Sequence, residues 1–383
     1  MPGKTLVLCG NISGAVMPSR SRQVVLFVAV MAFVMASVAP CAAETPRLFF
    51  VTRDGKSFLV DATGRVVAEP AAVAAWGYAE GRFVVSNGTR LGFADVTGRT
   101  VIAPRFQWAE AFHDGLARVE LPRRGASSSL CGFVDRSGRL VIPAIYRAAN
   151  DFREDRAVVI TASGYSFIDR EGRVAIAGPF DQAGDFSQGL APVMRAYRWG
   201  YVDRSGRLQI PYQFDGAGGF RDGLAPVFVR ERREFEFNVA VTGAGYVDGS
   251  GRMVIAPRFS SAEEFSDGLA LVTEGSVYVP SMNHLGRELA VGKRMFIDRT
   301  GAVVFACDTN VLVVRSFREG LAYAEYSDGR KGFLDRTGKM AIVLESSAVG
   351  AGDFDSGIAR VRFADGREGL IDRTGAYVWA PTK

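Results

Sequence analysis

Histidine is almost missing from this chain: 383 residues hold only His113 and His284, with four cysteines scattered among them. A zinc site or a catalytic triad needs histidine, or clustered cysteine, at ligand spacing, so metal chemistry and histidine-based catalysis have no residues to rest on. The glycine-rich fingerprints G-x-G-x-x-G and G-x-x-x-x-G-K-[ST] are also lacking, and no cofactor is expected. Long apolar runs are confined to one place, Val24 to Ala39, behind Arg20 and Arg22 and ahead of Ala42 and Ala43. That is the pattern of an export signal over residues 1–43, with a mature chain beginning near Glu44. Met17 is the more ordinary start, since it sets the two arginines directly behind the initiator. No later segment is apolar enough to span a membrane as a helix. Removing residues 1–43 takes Lys4, Arg20 and Arg22 and no acid, so the formal charge falls from +5 to +2. The strong positive footprint of a nucleic-acid binder is therefore missing. The same removal leaves Cys131 and Cys307, which are no disulfide framework; whether they pair stays open. Cys41 as a lipidation site is poorly served by Pro40. The expected location is periplasmic or secreted.

Glycine and aspartate, by contrast, are placed with regularity. Nine times an Asp precedes a Gly by three positions: 61/64, 95/98, 135/138, 169/172, 203/206, 248/251, 298/301, 335/338 and 372/375. Self-similarity at this period marks a repeat architecture, in which most repeated residues serve the stacking of neighbours. Asp at the first position of a type I turn and Gly in the following left-handed position make each pair a hairpin. Before it stand short strands such as Gly132-Phe-Val-Asp135, and after it segments such as Arg139-Leu-Val-Ile-Pro143, rich in β-branched and aromatic residues. A third strand follows from A-x-x-F-x-x-G-L-A-x-V, as in Gly189-Leu-Ala-Pro-Val193. The linker aromatic recurs as Tyr78, Phe112, Phe152, Phe186, Phe220, Phe265, Phe317 and Phe354, and is read as a core spine rather than a ligand ladder. The expected fold is all-β: nine three-stranded antiparallel meanders over residues 47–380 in an open curved array, with a closed β-propeller as the alternative. No strand is visibly split to latch a ring, and nine copies exceed the usual propeller count of about 4–8.

Spacing separates scaffold from adjustable loop. The step from turn Asp to the Gly position of the next G-L-A is 20 residues in the first six linkers, whereas the return to the next Asp grows in three copies. These insertions, Glu120 to Leu130, Arg230 to Ala244 and Thr273 to Arg294, fall in one kind of hairpin, and loops of one kind collect on one face.

At Trp199-Gly-Tyr-Val-Asp203-Arg-Ser-Gly206, with Phe220-x-x-Gly-Leu-Ala-Pro-Val227 behind it, the chain resembles the bacterial WG-repeat (WG-containing β-repeat) proteins. The resemblance covers residues 47 to 380. It departs at the Trp place, filled elsewhere by Leu91, Cys131, Tyr165, Ala244, Arg294, Lys331 and Glu368. It implies a β-rich, often exported repeat protein that binds partners, and carries over no catalytic residue.

The nine turn aspartates are structural, and arginines beside them, such as Arg136, Arg170 and Arg204, are charged tips that pair with them rather than a stripe for an anionic polymer. His113, beside Phe112, is read as a solvated surface residue. The expected function is a non-catalytic exported module binding a protein or envelope glycan, and no nucleic acid, through the inserted loops. The candidate contact residues are Arg232, Arg233, Phe235, Phe237, Tyr278, His284 and Arg287, the aromatic and arginine mixture of recognition surfaces. The alternative is an envelope hydrolase with a carboxylate site in those loops.

Overall fold

In the computed structural model, the described residues are 47–53, 56–69, 73–123, 128–161, 163–230, 242–275, 278–280, 287–289 and 292–381. The predicted leader lies outside them. The compact unit Pro46–Lys383 is built of antiparallel sheets alone. Nine sheets follow one another as blades, and a separate hairpin, Tyr278–Pro280 with Arg287–Leu289, stands inside the seventh. Blade five shows the plan: an inner strand Gln182–Ala183, then Leu190–Arg195, Arg198–Asp203 and an outer strand Leu208–Phe214. Seven blades keep all four strands. In blade four the inner strand shrinks to a single bridge, Ala149 to Val159, and in blade one the described strands begin at the second.

The sheets close into a nine-bladed β-propeller, which overturns the open array of three-stranded units. Two physical features account for the difference. The A-x-x-F linker is itself a strand: Gln182 and Ala183 pair with Met194 and Val193, and a two-residue turn returns the chain. In that turn Gln188 and Gly189 both have positive φ, the mirror-image turn that matches strand twist. Closure, moreover, uses no exchanged strand. Blade one packs its face on blade nine, where Val51, Val60, Ile358, Leu370 and Trp379 form one buried cluster. The Phe58 ring lies 5.9 Å from that of Trp379, and the Arg53 guanidinium 4.1 Å from the same ring centre. Arg47 pairs with Asp355, and Arg360 donates to the Phe50 carbonyl.

Within each blade the Asp turn forms as the sequence predicts. At Asp203 the Gly206 N–H donates to the Asp203 carbonyl, and the carboxylate accepts from the backbone of Ser205 and Arg207. Gly206 has φ +86°, and a Cβ there would stand 2.9 Å from Ile176 of the preceding blade. Gly200, the glycine of the Trp-Gly pair, faces the Ile210 carbonyl at 2.5 Å from where a Cβ would sit, across the bulge between third and outer strands. A side chain at either position meets a neighbour.

The aromatic spine lies between blades. Phe112, Phe152, Phe186, Phe220, Phe265, Phe317 and Phe354 each pack on the aromatic two before the turn Asp of the previous blade, at ring separations of 4.7–5.1 Å. All are buried. At the closing seam Leu370 holds the aromatic's place, and Trp379 occupies the position of an outer-strand Ile, restoring the volume.

Candidate functional site

Alternating strand direction gives the ring two faces. The inner turns and the Asp turns share one; the hairpins between second and third strands open on the other. On the turn face the charges are committed to structure. Across six seams, the first residue of the inner turn accepts, through its side chain, the N–H of the second turn residue, a Gly, in the next blade: Glu80 to Gly115, Glu154 to Gly189, Gln188 to Gly223, Asp222 to Gly268, Asp267 to Gly320 and Glu319 to Gly357, at 2.7–3.0 Å. Three of the arginines that follow the turn aspartates reach back to the preceding blade. Arg136 pairs with Glu80 and Arg204 with Asp155, and Arg170 donates to the Asp114 carbonyl. Those that follow the turn glycines, Arg65, Arg139, Arg173 and Arg252, pair with their own turn Asp at 2.7–3.1 Å. The arginines that follow the turn aspartates in blades seven to nine, Arg299, Arg336 and Arg373, lie over the inner turns at Gly223, Gly268 and Gly320 and make no hydrogen bond or ion pair among the described residues.

All three insertions open on the opposite face, between second and third strands of blades three, six and seven. Their stems are longer than the sequence suggests. Arg230 pairs with Thr242 in blade six, and in blade seven the insertion carries its own hairpin, with Tyr278 opposite Leu289 and Pro280 opposite Arg287. Tyr278 and Arg287 thus lie on paired strands, at opposite ends of the ladder. Arg232, Arg233, Phe235, Phe237 and His284 lie outside the described residues.

A cavity of about 620 Å³ lies inside the ring, and no motif in the sequence points to it. It is lined by the inner-strand segments of five successive blades, from His113 in blade three to Glu264 in blade seven. Residues so far apart in sequence meet because these segments face the ring's centre. Gly184, Gly218 and Gly219 line it where other blades carry Glu110, Asp151 or Glu263. Trp199 also lines it, half-buried beside Ala217 and Pro192. His113 is therefore not a residue of the outer surface but a channel residue, its Nε2 3.7 Å from Asp151 Oδ2. Partial burial pushes the Asp151 carboxyl above its usual range, with His113 and Arg118 pulling it back. Arg118 contacts Glu110 at 2.9 Å and Glu120 and Asp151 at 3.6–3.7 Å.

Cys131 and Cys307 are free, in blades three and seven. Burial raises both thiols, Cys307 up to about 11, so neither is poised as a thiolate. The turn carboxyls move the other way. Asp203 and Asp248 fall to about 2, the hydroxyls of Ser205 and Ser250 contributing most.

Five stretches of the chain match the family model of the WG containing repeat: residues 92–121, 132–161, 165–195, 199–231 and 245–278. The chain therefore carries WG-type β-repeats. Each match begins at a third strand and ends at or beyond the second strand of the next blade. No curated protein sequence matches the chain. Among solved structures, a crystal structure of a eukaryotic initiation factor is similar with a TM-score of 0.57 at 12% identity, over 87% of this chain and 95% of that one. BamB from Moraxella catarrhalis aligns with a TM-score of 0.44 at 11% identity, over 78% and 98% of the two chains. The likeness to the initiation factor is one of fold. Among the described residues no helix is long and apolar enough to cross a membrane.

Proposed function

We propose that this protein is an exported, non-catalytic binding module whose macromolecular partner, a protein or an envelope glycan, docks on the face carrying the insertions. The observation that supports this most is the asymmetry of the two faces. On the turn face many of the charged groups are bound within a turn or across a seam, and the sequence there hardly varies from copy to copy. The opposite face is where three blades lengthen the same hairpin without disturbing their sheets, and a rigid ring presents such loops side by side. Repeat propellers are suited to binding and scaffolding, which is an argument from fold alone.

The test is to trim the loops and ask what is lost. Because Arg230, Thr242 and Lys293 belong to paired strands, the cuts fall inside residues 231–241 and 275–292. Closure entropy changes by only about 0.6 kcal/mol per doubling of loop length, so the trimmed protein is expected to melt within a few degrees of the parent. Capture of a partner from envelope extract by the mature chain is expected to vanish. Unchanged capture by a folded, doubly trimmed protein sinks the reading, and N-terminal sequencing that finds residue 30 in the exported chain sinks the export.

A further inference from the structure

We propose that the channel cavity is a second, separate site, one that takes a neutral oligosaccharide. Its size falls within the range of about 300–1,000 Å³ typical of ligand pockets. Trp199 is the only tryptophan at its place in the nine repeats, and it is the one that lines this cavity. The place itself demands no aromatic, since Leu91, Ala244, Arg294, Lys331 and Glu368 fill it in other repeats. An indole there supplies something more, a flat apolar surface against which the C–H face of a sugar ring packs.

The polar lining selects against a strongly charged ligand. Glu264 is bound to Arg221 and to the Gly219 N–H, and Glu154 to the Gly189 N–H. What remains is Asp114 and Asp185, the latter also accepting from Asn150, against Arg153 and His113, a mixed wall of donors and acceptors with a small acidic excess. Hydroxyls, which donate and accept at once, suit such a wall better than an ammonium or a carboxylate. Bulk is removed where a ring has to enter: Gly184, Gly218 and Gly219 put backbone rather than side chain on the wall.

The experiment titrates the mature protein with β1→4-linked trisaccharides of glucose and of N-acetylglucosamine, and with trilysine and triglutamate as charged controls. Calorimetry and tryptophan fluorescence are the readouts. The expected result is one site per chain for at least one trisaccharide, weakened at least tenfold by Trp199→Ala and by Arg153→Ala, and kept by Trp199→Phe. Arg153 makes no side-chain hydrogen bond or ion pair among the described residues, so its loss leaves the fold intact and guards against a Trp199 variant that merely unfolds. Binding of neither trisaccharide overturns the proposal, as does saccharide binding indifferent to both variants, or tighter binding of either charged peptide. Loop trimming leaves the cavity in place, so failure here and failure of the docking face are read separately.

Discussion

Gly206 holds two constraints at once, a left-handed backbone and close contact with Ile176 of the blade before it. Gly206→Val is expected to cost about 2–4 kcal/mol, the sum of a strained left-handed residue and an overpacked seam. The melting temperature should drop by several degrees with partner capture lost only in proportion to unfolding; an unchanged melting curve would contradict the turn. The aspartate beside it makes a second expectation. All nine turn carboxyls are held below their usual range. For eight of them the hydroxyl two residues on contributes most; Asp169, which has Glu171 there, is lowered by backbone N–H donors against the opposing effect of burial. A carboxyl depressed in the folded state stabilises above its unfolded pKa, and that contribution is lost as pH falls through the folded value. Stability should therefore be flat above about pH 5 and fall steeply between about pH 4 and pH 2. Denaturant midpoints measured across that window decide it, and a flat profile there would show the turn bonds to be unimportant.

Strands of five or more residues left a clear trace in the sequence, because alternation has room to show: Arg198–Asp203 and Leu208–Phe214 announce themselves through Tyr201, Val202 and Ile210. The inner strand does not. Two paired residues, as at Gly216–Ala217, cannot display a period of two, and only the dipeptides Asp114-Gly115, Asp222-Gly223 and Asp267-Gly268 betray the hairpin. The Gly that opens Gly189-Leu-Ala-Pro-Val193, which the sequence places in a strand, is the second residue of the turn before it. The cavity was illegible for a different reason: His113, Trp199 and Glu264 become neighbours only after the ring closes, and closure depends on two sheet faces fitting, which has no local period. The core spine needed no such knowledge, since Phe220 with constant flanks in a repeat implies a constant environment.

For the whole molecule, the closing seam differs from the other eight. An inner seam is held by an aromatic pair and a side-chain-to-backbone hydrogen bond, as at Tyr201 with Phe220 and Gln188 with Gly223. The closing seam relies on Trp379, Arg53, Arg47 and Arg360. Phe220→Ala and Trp379→Ala should each cost about 3–5 kcal/mol by loss of a large buried ring. Their consequences should differ. Loss of Phe220 is expected to loosen blades five and six while chain connectivity keeps the ring together, whereas loss of Trp379 removes the largest buried side chain of the seam that joins the two ends. Hydrogen exchange should then show blades one and nine exposed first, and scattering should show a longer maximum dimension. An identical exchange pattern in both variants would contradict a seam of this kind.

The offset between repeat and blade has a consequence for the ancestry of such a chain. A repeat that runs from one third strand to the next second strand, as residues 165–195 do, has both its boundaries at hairpin tips. If recombination deletes one copy, Thr161 of blade four becomes joined near Trp199 of blade five, and the two half-blades meet as an inner pair and an outer pair of complementary register. No sheet is left with a severed strand. Copy number in this lineage is thus free to drift by whole units at the level of the gene, and the size of the ring is decided afterwards by how many wedges close a circle.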